Sequence, residues 1–241
     1  MKTKDQIISE INNKLNAEYT KVDFMPRRES TSYNKYAKTW ATVVAVDIVG
    51  FKKMVSLLSN EVMVKIIQLF NENVAHLAIN EFKDIFRDIY YAGDEVIVVF
   101  AAKQKEKISR AVDFSFHINS IVNNVLAKQL MSSIPKLSSF SAGIGIWTSN
   151  DNTIVRSGLK SNEEYSNSTL IGSSINNACK LAKVANRGNY LEYNLLMNGI
   201  TKINLVKTTK DSVEKWTTKL QLSIDGSNYV WGGSIVKTRY N

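Results

Sequence analysis

The stretch Val43-Val44-Ala45-Val46-Asp47-Ile48-Val49-Gly50-Phe51 sets a carboxylate at the end of an apolar, β-branched run. Such a run reads as a buried strand from Thr39 to Val49, ended by Gly50, where a helix can begin. A carboxylate in that setting is costly unless it is paired, hydrogen-bonded or metal-bound. The pattern recurs in Tyr90-Tyr91-Ala92-Gly93-Asp94-Glu95-Val96-Ile97-Val98-Val99-Phe100. There two strand-like runs flank Ala92-Gly93-Asp94, a hairpin signal. If the first strand pairs with this hairpin, Asp47 and Asp94 meet. Two carboxylates on adjacent strands offer the hard oxygen ligands that divalent ions bridging nucleotide phosphates require, with the ions about 3.5 to 4 Å apart. Backbone N–H groups of Val49 to Lys52, opening the next helix, would accept a phosphate.

Working outward, residues 1 to 38 are polar and carry a short amphipathic stretch (Ile7, Ile8, Ile11, Leu15), predicting a helix followed by an extended arm through Phe24-Met25-Pro26-Arg27-Arg28. Val62, Ile66, Leu69, Phe70, Val74 and Leu77 recur at helical spacing, and a second amphipathic helix is predicted from Lys105 to Leu130. Ser139 to Thr148 reads as a strand. The Ser- and Asn-rich segment Ser149 to Ser168 reads as a mobile loop. Ser173 or Ser174 is expected to cap a helix that Gly188 ends. Trp216 to Ile224 and Asn228 to Val236 alternate as a final hairpin around Asp225-Gly226-Ser227. The order predicts an α+β fold, an antiparallel-rich, ferredoxin-like sheet flanked by helices, with the arm at 1-38 and one domain at 39-241.

The 241 residues are 44% hydrophobic and 22% charged, typical of a soluble globular protein. No apolar run nears the roughly 20 residues a membrane span needs, and no signal-peptide core is present, so the expected location is the cytoplasm. The net charge of +9 suits an anionic partner, yet the lysines form no dense tract or aromatic-interleaved patch, which argues against nucleic acid. Cys179 is the single cysteine and reads as a structural thiol. His76 and His117 have no partners at metal-ligand spacing. Glu95 follows Asp94 on the strand and is expected to face away from it.

Four motifs in order resemble the class III nucleotidyl cyclases: Val46-Asp47-Ile48-Val49-Gly50-Phe51, Ala92-Gly93-Asp94-Glu95-Val96-Ile97-Val98-Val99-Phe100, Ala142-Gly143-Ile144-Gly145-Ile146, and Ile171-Gly172-Ser173-Ser174-Ile175-Asn176-Asn177-Ala178-Cys179-Lys180-Leu181. The resemblance covers residues 40 to 190. It implies a cyclase catalytic domain in which Asp47, Asp94 and the Ile48 carbonyl bind two Mg²⁺ or Mn²⁺ ions, and Gly50 and Phe51 contact the substrate phosphates. It further implies that Asn176 orients the ribose and that position 180, on the same helix face, steadies the transition state. Lys180 stands there in place of the usual arginine, keeping the charge but losing the planar fork. Arg27, Arg28 or Arg156 could supply the missing contact.

The base-selecting positions of purine cyclases carry lysine or glutamate three residues before the hairpin glycine. Here Tyr90 stands there, with Thr169 at the partner position. Both side chains are chemically compatible with uracil or cytosine. In this the chain resembles the pyrimidine cyclases of Pycsar antiphage defence, which implies UTP, or else CTP, as substrate and a separate effector that senses the cyclic product. The resemblance also implies a head-to-tail homodimer with shared active sites.

Overall fold

The structure, a computed structural model, describes residues 3–23, 34–158, 166–224 and 227–234. Two compact units are distinguished: residues 1–39 with 152–171, and residues 40–151 with 172–241.

The second unit is built on a seven-strand path, β3-β4-β2-β5-β7-β9-β8. The strands are β2 (Lys35–Ile48), β3 (Phe86–Ala92), β4 (Glu95–Ala101), β5 (Ala142–Gly158), β7 (Leu195–Asn198), β8 (Thr217–Ile224) and β9 (Ser227–Gly233). β2 pairs antiparallel with β4 from Ala41 opposite Ala101 to Asp47 opposite Glu95. β5 and β7 are parallel, so the sheet is mixed, and β8 and β9 form the expected C-terminal hairpin. Residues 225 and 226 of its turn lie outside the described residues.

Alternation along the strands assigns the two faces. Val44, Val46, Ile48, Val96, Val98, Phe100, Ile144 and Ile146 join one apolar core with Ile66, Phe70 and Val74 of α3 (Asn60–His76) and Ile108, Val112 and Phe114 of α4 (Lys105–Ser120). Each such fully buried side chain contributes about 1.5–3 kcal/mol. The opposite face, including Asp47, Gly143 and Gly145, is turned toward α6 (Ser173–Val184). A Cβ on Gly145 would lie 2.0 Å from the Ala178 carbonyl oxygen, and one on Gly143 would lie 2.2 Å from that of Ala182. Glycine on the strand and alanine on the helix therefore let α6 sit unusually close to the sheet.

In the first unit, α1 (Lys4–Leu15), the helix expected from the apolar spacing, opens on a capping box between Thr3 and Gln6. β1 (Thr20–Lys21) pairs with the start of β2, and β6 (Ser166–Ile171) pairs antiparallel with the end of β5.

Several expectations are corrected. The segment read as a loop is two paired strands: β5 runs on to Gly158 and β6 begins at Ser166, with Ile154 opposite Leu170, both buried. Residues 159–165 lie outside the described residues. Cross-strand pairing of Thr153-Ile154-Val155 with Thr169-Leu170-Ile171 outweighs the polar composition nearby. The helix predicted from Lys105 to Leu130 is α4, then a π-helical stretch at Ile121–Leu126, then α5 (Ala127–Ser133). Its widened turns bring Asn123 against the edge of β5, where its amide accepts from the Ala142 N–H (2.6 Å) and donates to the Ala142 carbonyl (3.0 Å). No serine caps α6. Its N-cap is Gly172, and it ends at Ala185 in extended backbone rather than at Gly188.

Candidate active site

Asp47 lies at the end of β2 and is only 5% exposed. The β2–β4 register and the two-residue turn at Gly93-Asp94, where Gly93 has φ +69°, bring the second aspartate beside it. The Ile48 N–H donates to the Asp94 carbonyl at 3.1 Å. Ile48 and Asp94 are thus bonded backbone neighbours, as the strand-to-hairpin pairing predicts.

A cation already holds two of the three groups singled out from the sequence, the Asp47 carboxylate and the Ile48 carbonyl. Arg187 Nη2 donates to Asp47 Oδ2 at 2.5 Å and to the Ile48 carbonyl at 3.2 Å. Its Nη1 donates to the carbonyls of Ala182 (2.7 Å) and Ala185 (3.3 Å) at the end of α6. This follows from how α6 stops. The Asn186 N–H, which would continue the helix to Ala182, goes instead to the Tyr193 carbonyl (2.8 Å), leaving the Ala182 carbonyl to the guanidinium. Asn186 takes φ +56°, a left-handed conformation asparagine tolerates, and this turn brings Arg187 back over the strand ends.

Glu95, directly opposite Asp47, is also buried, at 6% exposure. Opposed residues on antiparallel strands share a face, so Glu95 joins Asp47 on the α6 side. Its Oε2 lies 3.5 Å from Lys183 Nζ, and its Oε1 is buried without a hydrogen-bond partner among the described residues. Burial, reinforced by the charges of Asp94 and Glu95, outweighs the Arg187 pairing and raises the Asp47 carboxyl to about 6. Burial and then the Glu95 charge push the Cys179 thiol up to about 12, so it is not a nucleophile at neutral pH.

The remaining expected residues are distributed as follows. Asn176 and Lys180 are exposed, four residues apart on α6. Tyr90 is half-buried on β3 opposite Ile97, and its hydroxyl donates to Asp88 Oδ2 at 3.3 Å. Thr169 lies on β6 opposite Val155, in the first unit. Gly50, at φ +72°, is the N-cap of α2 (Phe51–Leu57), and Phe51 packs against the core. The Val49 N–H is spent on the Ser141 carbonyl (2.9 Å), which removes Val49 from the expected phosphate contacts and leaves Gly50, Phe51 and Lys52. Arg27, Arg28 and the Arg156 side chain lie outside the described residues.

Sequence reasoning missed Glu95 and Arg187. The face of Glu95 depends on a register set across two strands, and Arg187 reaches Asp47 across 140 residues of chain. An arginine two residues past the helix end, after an Asn suited to a left-handed turn, was the local signal.

The donor set fits a cation. Among the described residues no cluster of three or more His, Cys, Asp or Glu side chains could hold a metal. Two carboxylates and a carbonyl offer only oxygens, which suits hard ions such as Mg²⁺. The guanidinium demonstrates that Asp47 and Ile48 converge on one positive charge.

No family model and no curated protein matches the chain. Solved structures do. The guanylyl cyclase Cya2 is similar over 85% of this chain and 96% of its own, with a TM-score of 0.65 and 19% identity. The adenylyl cyclase CyaB from P. aeruginosa is similar over 86% of this chain and 98% of its own (TM-score 0.63, 16% identity). A class III adenylyl cyclase-like ATP-binding protein from Pseudomonas aeruginosa is similar over 98% of this chain and 48% of its own (TM-score 0.65, 16% identity). The fold is that of a class III cyclase catalytic domain. Its mixed sheet and flanking helices carry Asp47 and Asp94 at adjoining strand ends. Among the described residues no helix is long and apolar enough to cross a membrane.

Proposed function

We propose that the chain is a metal-dependent nucleotidyl cyclase that converts UTP to 3′,5′-cyclic UMP and pyrophosphate. The observation that carries this reading is the convergence of the Asp47 carboxylate and the Ile48 carbonyl on one cation, beside Asp94, in a cyclase fold. Similar folds in proteins described as guanylyl and adenylyl cyclases support triphosphate cyclisation as the reaction class.

Asp47, Asp94 and the Ile48 carbonyl would hold Mg²⁺ or Mn²⁺, whose contribution is to acidify the ribose 3′-hydroxyl and neutralise the triphosphate. The 3′-oxygen loses its proton to solvent and bonds to the α-phosphorus as the α–β bridging bond breaks and pyrophosphate leaves. Asn176 orients the ribose, and Lys180 stabilises charge on the transferring phosphoryl group as a point charge rather than a fork. Gly50, Phe51 and Lys52 present backbone N–H groups to the phosphates. Exposed Asn176 and Lys180 suit a site completed by a second copy of the chain in a homodimer.

Base choice rests on Tyr90 and Thr169. With its proton directed to Asp88, the Tyr90 hydroxyl presents lone pairs, and so accepts from the N3–H of uracil or the amino group of cytosine. A cyclic pyrimidine product fits a defence second messenger read by a separate effector. Cytidylate cyclisation is the next reading, then adenylate or guanylate cyclisation. A nucleotide-binding domain without catalysis is favoured by Lys180 and by likeness to the cyclase-like ATP-binding protein.

The test is incubation of the purified protein with Mn²⁺ and ATP, GTP, CTP or UTP separately, with products identified by mass. Cyclic UMP from UTP alone is expected. A cyclic purine would overturn the base assignment, and tight nucleotide binding without pyrophosphate release would favour the non-catalytic reading.

A further inference from the structure

We propose that Arg187 is an internal counter-cation of the Asp47 and Ile48 oxygens, and that a divalent ion enters this site only by displacing it. The inference rests on the reading that these oxygens hold the metal.

The geometry makes the two cations exclusive. Nη2 lies across the two oxygens at 2.5 and 3.2 Å. A divalent ion of this class bonds oxygen at about 2.0–2.1 Å. An ion bridging the pair from the guanidinium side falls within contact distance of Nη2, charge against like charge. The arginine is anchored independently of Asp47, through Nη1 on the Ala182 and Ala185 carbonyls. The space it uses is kept open by Gly143, where a Cβ would come within 3.1 Å of Nη1 and much closer to both carbonyls. The side chain is 27% exposed, so a path to solvent exists for the displaced group.

The function of such a contact is twofold. It offsets the like charges of Asp94 and Glu95 beside a buried carboxylate. It also sets a threshold for the metal, because the ion must replace the Asp47 and Ile48 contacts of the guanidinium before it gains its own. Displacement is reciprocal: whatever Arg187 subtracts from metal affinity, bound metal subtracts from the arginine's hold on Asp47.

The experiment measures Mn²⁺ binding directly, from the electron paramagnetic resonance signal of the free ion, on wild-type protein and on Arg187→Gln and Arg187→Lys. Arg187→Gln is expected to bind Mn²⁺ at least about tenfold more tightly, the equivalent of ~1.4 kcal/mol. Arg187→Lys is expected between the two, since one ammonium cannot span Asp47 and both helix carbonyls. A readout on unaltered protein accompanies it: nuclear magnetic resonance of ¹⁵N-arginine-labelled chain, in which the slowly exchanging guanidinium protons of Arg187 are expected to disappear on addition of Mg²⁺. Equal or weaker Mn²⁺ affinity in Arg187→Gln, with guanidinium signals indifferent to Mg²⁺, overturns the displacement while leaving the metal site standing. Failure of every variant and of the wild type to bind Mn²⁺ overturns the metal site itself, and this inference with it.

Discussion

Asp47 stood out in the sequence because it closes an apolar strand and Asp94 because it adjoins one, where a charge needs a reason. Glu95 did not, because its partner is fixed by register rather than by its neighbours in the chain. Its charge adds to an effect at Cys179 on α6, whose own burial is the larger cause of a raised thiol. A thiol raised to about 12 is protonated at every pH at which the protein is handled, so its thiolate fraction at pH 8 is about a thousandfold below that of an ordinary cysteine. Iodoacetamide alkylation of the native chain is expected to be slower than that of glutathione by a comparable factor. The rate should rise about tenfold per pH unit between pH 7 and 9, without the plateau that free thiols approach. Glu95→Gln removes a charge that opposes the thiolate and is expected to speed the reaction. A native rate matching glutathione would contradict the burial assigned here.

At the scale of elements, the close seating of α6 on the sheet decides where Arg187 can reach. Gly145 is its most constrained contact, since an added Cβ would meet the Ala178 carbonyl at 2.0 Å and the Ala182 nitrogen at 2.5 Å, backbone atoms that cannot turn aside. Gly145→Ala is expected to lower stability in urea by about 1–3 kcal/mol, the range for overpacking. Gly199→Ala, at a helix position with nothing within 4 Å, serves as the control and is expected to leave the midpoint unchanged or slightly raised. Equal midpoints for both variants would mean that α6 does not approach the sheet this closely. Elements with strong periodicity, such as α3, β4 and the C-terminal hairpin, were legible in the sequence. β6 and the outer half of β5 were not, because their serines and asparagines suit a loop equally well and only the partner strand decides. The π-helical turns at Leu77–Glu81 and Ile121–Leu126 continue amphipathic helices with no break in composition, so nothing local announces them.

For the whole molecule, the proposed ribose and phosphate groups, Asn176 and Lys180, are exposed on α6 while Asp47 is buried at the strand end. If a site is completed only by a second copy, specific activity is expected to fall on dilution through the dimer dissociation constant. Activity proportional to protein concentration well below that constant would contradict shared sites. Cation-dependent chemistry at Asp47 is what the proposed reaction most requires. The most direct test follows UTP with Mg²⁺ by ³¹P nuclear magnetic resonance, on the wild type and on Asp47→Asn, with circular dichroism showing both folded. Cyclic UMP and pyrophosphate are expected in equal amounts from the wild type and at least about a hundredfold less from the variant. Equal turnover by the two proteins, or no cyclic product from the folded wild type, would contradict this mechanism.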